Sequence, residues 1–571
     1  MNWQLADKIS QTMIEQWPEL NPVILQLLHN RGLTDEAEIK QFLEPDWDRD
    51  ILDPYLFIDM KQAVARILAC QKKKEKICVF GDYDVDGVSG ATILSRALRD
   101  LELDFFVYIP HRDKEGYGLN DTALDKIAEQ GAKVIITVDC GISNFSEITR
   151  ARQQYNIDVI IVDHHDIPEQ LPPAHSIIHG RLPRESYPFK GLSGGGTAFK
   201  LAQAILRDKN LGLSEHEIES KEKWLLDLVA LSTIGDIMPL VGENRTMVKF
   251  GLIVLQKTRS IGLRKLYEGA NIEASKIDER VVGWQINPRL NAAGRLRHAD
   301  MAHQLLFTDN IEQAIMMASA LNKSNEERQR LTEQSLKEAM VMAEEQMKKY
   351  DKAAIVVAGE QWPPGIVGLV AGRLANKFNR PAFVATRNGE RYVGSGRTVG
   401  GFNVTDALRD NAELFIKFGG HAAACGFSFA PDKLATWQTQ MLDYSQKKLA
   451  KIDLTPILSI DAVLTLADCS WDLQEGLSEF EPWGEDNPEP NFLLSSVMVK
   501  DWQTVGKEDK HLRLVLQDGD IIKKAIAFGL GEWAKDLKLG SQVDIVFQLG
   551  VNEWNGNREL QIKVVDMRIS S

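Results

Sequence analysis

Four apolar runs in this chain each end in acidic residues. Ile77-Cys78-Val79-Phe80 opens into Gly81-Asp82-Tyr83-Asp84-Val85-Asp86-Gly87. Val134-Ile135-Ile136-Thr137-Val138 ends in Asp139, Val159-Ile160-Ile161-Val162 ends in Asp163-His164-His165, and the stretch from Trp224 to Ile234 ends at Gly235-Asp236. Short β-branched runs separated by helix-length segments predict parallel strands. Open parallel sheets bind ligands outside the carboxyl ends of their strands, so the acids are expected to share one cleft. So many carboxylates in a small volume need cations to neutralise them, which predicts a two-metal hydrolytic centre.

Asp82, Asp84 and Asp86 are spaced by two, and an extended segment would set them on one side. The flanking Gly81 and Gly87 let the backbone turn sharply around a cation. Oxygen ligands suit Mg²⁺ and Mn²⁺. A calcium loop would end in Glu where this chain has Ile93. For this motif alone, a capped Asp-rich turn is the plainer alternative. The adjacent histidines add imidazole nitrogen, which favours Mn²⁺ over a pure Mg²⁺ site. Two such cations about 3.5–4 Å apart can activate water and stabilise both oxygens of an in-line phosphoryl displacement.

The 571 residues suffice for several domains, and the net charge of −14 argues against indiscriminate binding to nucleic acid while leaving room for a local basic channel. The five cysteines form no CxxC pair, which suits a reducing compartment. The N-terminus lacks a signal-peptide pattern. The longest apolar stretch, Trp224 to Leu240, is interrupted by Asp227 and Asp236. A soluble, cytoplasmic protein is expected.

Five segments are expected along the chain. Residues 1–75 are helical and irregular, and 76–245 alternate strand and helix in the manner of a doubly wound parallel sheet. Within that domain, Gly191 to Thr197 is a glycine-rich loop before a helix; it can hold phosphate at the helix N-terminus or be a plain tight turn. Residues 246–350 form a helical connector ending in a proline- and glycine-free stretch from Ile311 to Tyr350, largely polar, as in helices that bridge domains. Residues 351–452 read as a second α/β domain. Residues 456–571 alternate at period two, with an Asn555-Gly556 hairpin signal, and predict a small OB-type β-barrel.

These motifs carry a family resemblance. The four acidic motifs resemble those of the DHH phosphoesterase superfamily, and Gly419-Gly420-His421-Ala422-Ala423-Ala424-Cys425-Gly426 resembles the glycine-histidine motif of its accessory second (DHHA1-like) domain. Asn287-Pro288-Arg289-Leu290-Asn291-Ala292-Ala293-Gly294-Arg295, Glu115-Gly116-Tyr117-Gly118-Leu119 and Pro488-Glu489-Pro490 extend the likeness over nearly the whole chain, to the superfamily's single-strand-specific 5′→3′ DNA exonucleases. The resemblance implies Asp82, Asp84, Asp86, Asp139, His164 and Asp236 as ligands of Mn²⁺ or Mg²⁺. Asp163 would orient its neighbours, His165 would face the scissile phosphate, and His421 would close on it. Products would be 5′-mononucleotides.

Arg112, Arg289, Arg295, Ser395 and Arg397 are candidate phosphate contacts; Ser395, Arg397 and one of Arg289 or Arg295 would hold the 5′ end. Tyr117 would stack on a base or belong to the core. Trp502, Lys507, Lys510 and Arg513 are candidate barrel contacts to single-stranded DNA. The resemblance also implies a single-strand-binding protein and a RecQ-type helicase as partners in recombination and repair, and a monomer is expected. His179-Gly180 (in place of Asn-Pro), Asn287 (in place of glycine or alanine) and Ser232-Thr233-Ile234-Gly235-Asp236 (where alanine is usual before the aspartate) depart from the family pattern without removing a ligand. A small-substrate phosphoesterase and a non-enzymatic DNA scaffold are the rival readings, each disfavoured by the extra domains or the retained acids.

Overall fold

The computed structural model describes every residue except Asp113, Asp351, Lys352, Asn555 and Ser571, and leaves the side chains of Asn210 and Trp554 undescribed. The chain divides into two compact units: Met1–Ile51 with Pro239–Thr246 and Ile457–Ser571, and Leu52–Met238 with Met247–Pro456. The stretch expected as one N-terminal segment, 1–75, is thus shared between them.

In the second unit, strands Phe105–Tyr108, Lys76–Gly81, Ala132–Val138, Asp158–Val162 and Ser176–Ile178 form an all-parallel sheet in that order. The first strand in sequence therefore lies between the second and third. The switch point, where such sheets bind ligands, falls between Lys76–Gly81 and Ala132–Val138. Helices Asp121–Glu129 and Phe145–Tyr155 bury Leu124, Ile127 and Ile148 on one face. On the other face Val85–Asp100 packs on Gly194–Leu206 and Leu226–Gly235.

Three local expectations are corrected here. The run from Trp224 to Ile234 is no strand but helix Leu226–Gly235, buried on every side from Leu226 to Thr233. Asp84 and Asp86 are not extended: Asp84 N-caps the helix Val85–Asp100, and Asp86 lies in its first turn. The glycines at 194–196 are not a loop but the first turn of a helix N-capped by Ser193.

The connector ends in one 39-residue helix, Ile311–Lys349. Its first half packs on helices Ile261–Ala270 and Asn287–Leu296, and its second half on Val367–Phe378 and strand Ile355–Gly359. The polar surface expected of a bridging helix thus joins the parallel-sheet lobe to a second lobe. That lobe is a five-stranded mixed sheet ordered Lys417–Gly420, Ala424–Phe429, Arg391–Arg397, Ala382–Asn388, Ile355–Gly359. Ala339 and Ala343 of the long helix join Val370 and Leu374 in the core on one face; Trp437 and Met441 fill the other.

In the first unit, strand Phe492–Val505 pairs with both His511–Asp518 and Gln542–Trp554, closing a barrel. Leu512, Leu514 and Leu516 point inward at period two, as the alternation predicts. Strands Gln542–Trp554 and Asn557–Ile569 pair antiparallel as far as Trp554↔Asn557; Asn555 of the expected turn lies outside the described residues. Ile24, Leu27, Leu28 and Phe42 from the N-terminal helices share the barrel's core. Strand Asn2–Leu5 pairs in parallel with Ile457–Ile460. Arg245 is buried and donates to the carbonyls of Phe42, Phe480 and Glu479.

Candidate active site

Register puts the acids in a row. Gly81 is level with Val138, and Val138 with Val162. The next residues, Asp82, Asp139 and Asp163, therefore stand side by side at the carboxyl edge. Their N–H groups extend the ladder to the carbonyls of Val138, Val162 and Ile178 at 3.2, 3.0 and 3.2 Å. Asp139 adopts a left-handed backbone, φ +60°, a costly conformation for a non-glycine residue that concentrates at functional sites.

Asp84 accepts from the N–H groups of Asp86 and Gly87 at 2.9 and 3.4 Å. Asp86 is buried and receives the N–H groups of Gly194 and Gly195 at 2.8 and 2.7 Å and the Ser232 hydroxyl. A helix N-terminus thus binds an anion as its dipole favours, but the anion is the protein's own carboxylate. The approach needs glycine: a Cβ on Gly194 would lie 2.6 Å from Asp139 Cβ, and one on Gly195 2.5 Å from Ser232 Oγ. Asp236 caps the C-terminal end of helix Leu226–Gly235.

His164 Nε2 stands 3.1 Å from Asp139 Oδ1, 3.4 Å from Asp236 Oδ2 and 3.6 Å from Asp86 Oδ2. Burial lowers its pKa to about 4, so near neutral pH it offers a lone pair. Asp163 is fully buried and accepts four N–H groups: His164 N, His165 N and His165 Nδ1 on one oxygen (2.8, 3.2 and 2.8 Å) and Ile142 N on the other (3.0 Å). Burial opposes its charge, but these bonds outweigh it and hold the carboxyl at about 2. His165 is the reciprocal case: burial opposes protonation, yet the Asp163 bond raises it to about 9. Burial, then repulsion from Asp86 and Asp84, pushes Asp236 up to about 8. Burial and neighbouring carboxylates raise Asp82 and Asp139 far above the usual range.

Carboxylates crowded this far need positive charge beside them. Among the described residues, three donor sets have atoms within 4.8 Å of one another: Asp82, Asp84 and Asp139; Asp86, His164 and Asp236; Asp139, His164 and His165. Asp82 Oδ1 is buried with no hydrogen-bond partner among the described residues. Carboxylate oxygens joined by a neutral imidazole fit Mn²⁺ or Mg²⁺, and the sharing of Asp139 and His164 between sets fits a pair of ions.

A cleft of about 820 Å³ opens beside this row, walled by Arg112, Tyr117 and His165 from the parallel-sheet lobe and by Arg391, Lys417 and His421 from the second lobe. The His421 ring lies nearly parallel to that of His165, centroids 6.1 Å apart. Tyr117 is not a core residue: it is 45% exposed and its hydroxyl donates to the Asp139 carbonyl at 3.0 Å. Arg112 lies over the Tyr83 ring at 4.9 Å.

Arg397 donates to Ser395 Oγ at 2.7 Å, and Ser395 to the Cys425 carbonyl at 2.9 Å. Arg295 donates to the Gly365 carbonyl at 3.2 Å; burial, then the charges of Arg112, Arg328 and Arg397, lower its pKa to about 9. Both connector arginines act on Arg328, and Arg295 lies also beside Arg112 and Arg397. Arg289 is engaged by Asn322 Oδ1 at 2.7 Å and the Gln285 carbonyl at 2.6 Å.

Sequence reasoning did not single out Gly194, Gly195 and Ser232 as supports of Asp86, Ile142 as a donor to Asp163, or Arg328, whose buried Nε has no partner among the described residues. Asn287, noted only as a departure, donates to the Leu231 carbonyl at 2.9 Å and so pins the helix that carries Asp236.

A parallel sheet bearing this acid row, joined by a long helix to a histidine-bearing mixed sheet, defines a two-lobed DHH-type protein. The family models agree: DHH family, N-terminal domain, matches residues 76–233, DHHA1 domain matches 351–446, and RecJ OB domain matches 460–566. The chain is 33% identical over 576 residues to the single-stranded-DNA-specific exonuclease RecJ of Bacillus subtilis, covering 100% of this chain and 71% of that protein. It is 31% identical to the protein of the same name from Escherichia coli, covering 95% of each. It superposes on the crystal structure of RecJ in complex with Mn²⁺ from Thermus thermophilus with a TM-score of 0.84, at 28% identity and covering 100% of this chain and 80% of that one. The chain belongs to the RecJ family.

Proposed function

We propose that this protein is a metal-dependent exonuclease that hydrolyses single-stranded DNA from its 5′ end, releasing 5′-mononucleotides, in recombination and repair. The observation that carries the reading is the row Asp82, Asp139, Asp163 with His164 and Asp236 beside it at the sheet's switch point. Asp82, Asp84, Asp86, Asp139, His164 and Asp236 would hold the ions, Asp86 through lone pairs left over from its backbone bonds. Two bound cations supply activation of water and stabilisation of the attacking and leaving oxygens.

The chain's own groups do the rest. Asp163 fixes the orientation of both histidines, and His165 faces the scissile phosphate. His421 closes on it from the second lobe. Arg112, Arg295, Arg397 and Ser395 receive the 5′ end, with Arg289 on the strand's path, and Tyr117 presents its exposed ring to a base. The barrel binds single-stranded DNA, with Trp502, Lys507, Lys510 and Arg513 as its contacts. The roles are assigned to the segments 76–245, 246–350, 351–452 and 456–571, while 1–75 is divided, 1–51 with the barrel's unit and 52–75 with the other. No described helix is long and apolar enough to cross a membrane. A cytoplasmic monomer working with a single-strand-binding protein and a RecQ-type helicase completes the proposal.

Digestion of a long single strand and its matching duplex with Mn²⁺ tests it. Mononucleotides from the single strand alone are expected. Cleavage confined to dinucleotides or short oligonucleotides would refute it.

A further inference from the structure

His421 reaches the cleft from the second lobe, and its ring needs a fixed orientation to be useful there. Thr405 Oγ1 donates to the His421 carbonyl at 2.6 Å, and His421 N donates to the Ala424 carbonyl at 2.8 Å. Gly420 before it has φ +138°, and a Cβ there would lie 2.4 Å from the Ala424 carbonyl oxygen. The backbone is therefore fixed. These bonds leave the ring free to rotate. What the ring touches is Asp166, one residue past the histidine pair on the opposite lobe, with Nδ1 2.9 Å from Asp166 Oδ2.

Asp166 is itself held. Arg181 Nη1 lies 3.4 Å from Asp166 Oδ1, and Arg181 Nη2 donates to the His164 carbonyl. Arg181 follows His179-Gly180. His179 is fully buried; its Nε2–H donates to the His165 carbonyl at 2.8 Å and its Nδ1 accepts Arg181 N–H at 3.1 Å. The two bonds require one tautomer, so the His179 ring fixes where Arg181 leaves the backbone. The chain of contacts runs His165 backbone, His179, Arg181, Asp166, His421.

We infer that Asp166 is a positioning residue for His421, built on the His179-Gly180-Arg181 loop. A carboxylate can only accept, so Nδ1 must carry the proton, and Nε2 is left as the ring nitrogen available to the cleft. A carboxylate that fixes the tautomer and plane of a working imidazole is a general device. Here it also ties the second lobe to the motif that carries His164 and His165.

The inference rests on the function proposed above, and two readouts separate the two. The first is ¹⁵N-histidine spectra of the Mg²⁺ protein: His421 is expected as a single Nδ1–H tautomer in the wild type and as a tautomer mixture in Asp166→Ala and Arg181→Ala. The second is kinetics on a single-stranded oligonucleotide. Asp166→Ala should lower kcat roughly ten-fold while KM stays within about two-fold and Asp166→Glu recovers part of the loss. The double variant with His421→Ala should lose no more than His421→Ala alone. An unchanged His421 spectrum in Asp166→Ala, or losses that multiply in the double variant, would overturn the inference. Absence of any DNA cleavage by the wild type would overturn the proposed function and leave the spectra to decide on Asp166.

Discussion

Replacing Asp163 by Asn is close to isosteric, and the structure sets its cost. The carboxylate takes three N–H groups on Oδ1 and one on Oδ2. An amide has one accepting oxygen. In its better orientation the oxygen keeps the three histidine-motif donors, and the new NH₂ faces the Ile142 N–H. Two buried donors, the Ile142 N–H and the amide N–H facing it, are then unpaired at about 1–3 kcal/mol each, and the charge-assisted bond to His165 is reduced to a neutral one, so the total is about 3–7 kcal/mol. His165, held at about 9 chiefly against burial by this carboxylate, should fall toward or below the ordinary 6.5. Urea unfolding of the metal-free protein reads the first quantity, and an NMR titration of His165 reads the second. A variant within about 0.5 kcal/mol of wild type, with His165 still titrating near its wild-type value, would refute the four-donor account of Asp163.

Buried His303, whose Nε2 lies 3.3 Å from Ser95 Oγ, is lowered to about 4 by burial and then by Arg96. Its folded pKa lies below its unfolded value, so its neutral form is favoured in the folded state. Stability is full above the unfolded value and falls as pH drops from 6.5 toward 4, by up to about 3 kcal/mol. His303→Leu should lose that part of the slope in urea midpoints; an identical slope would contradict it. Gly195→Ala puts a Cβ 2.5 Å from Ser232 Oγ and should cost about 1–3 kcal/mol, weaken Mn²⁺ binding in calorimetry and lower kcat; wild-type metal affinity would count against the role given to this helix end. Arg397→Ala should weaken discrimination between 5′-phosphorylated and 5′-hydroxyl single strands in competition digests, and an unchanged preference would remove it from the 5′-end site.

The three strand-borne acids are legible in the sequence because β-branched runs buried on both faces read plainly as parallel strands, and register then aligns whatever follows them. The fourth is legible as an acid but not in its element. Leu226 to Thr233 is buried on every side, and an apolar run without a polar face has no period by which helix and strand can be told apart. The spacing Asp82, Asp84, Asp86 suggests extension. The competing signal was Asp84 as an N-cap, with Asp86 finding its partners more than a hundred residues away, at Gly194 and Gly195. Glycine at 194–196 reads locally as a turn; its use, letting a helix end approach Asp139 and Ser232, exists only in the packed lobe. Strand Asn2–Leu5 pairs with Ile457–Ile460, and a four-residue segment without alternation gives no hint of so distant a partner.

The most direct measurement is digestion of a 5′-labelled and a 3′-labelled copy of one long single strand, with Mn²⁺, by the wild type and by the Asp84→Ala, His164→Ala double variant. Labelled mononucleotide released at once from the 5′-labelled strand, late from the 3′-labelled one, and from neither in the variant is the expected result. Release from the 3′ end first, or undiminished release by the variant, would contradict the assignment of polarity or of the metal-holding row.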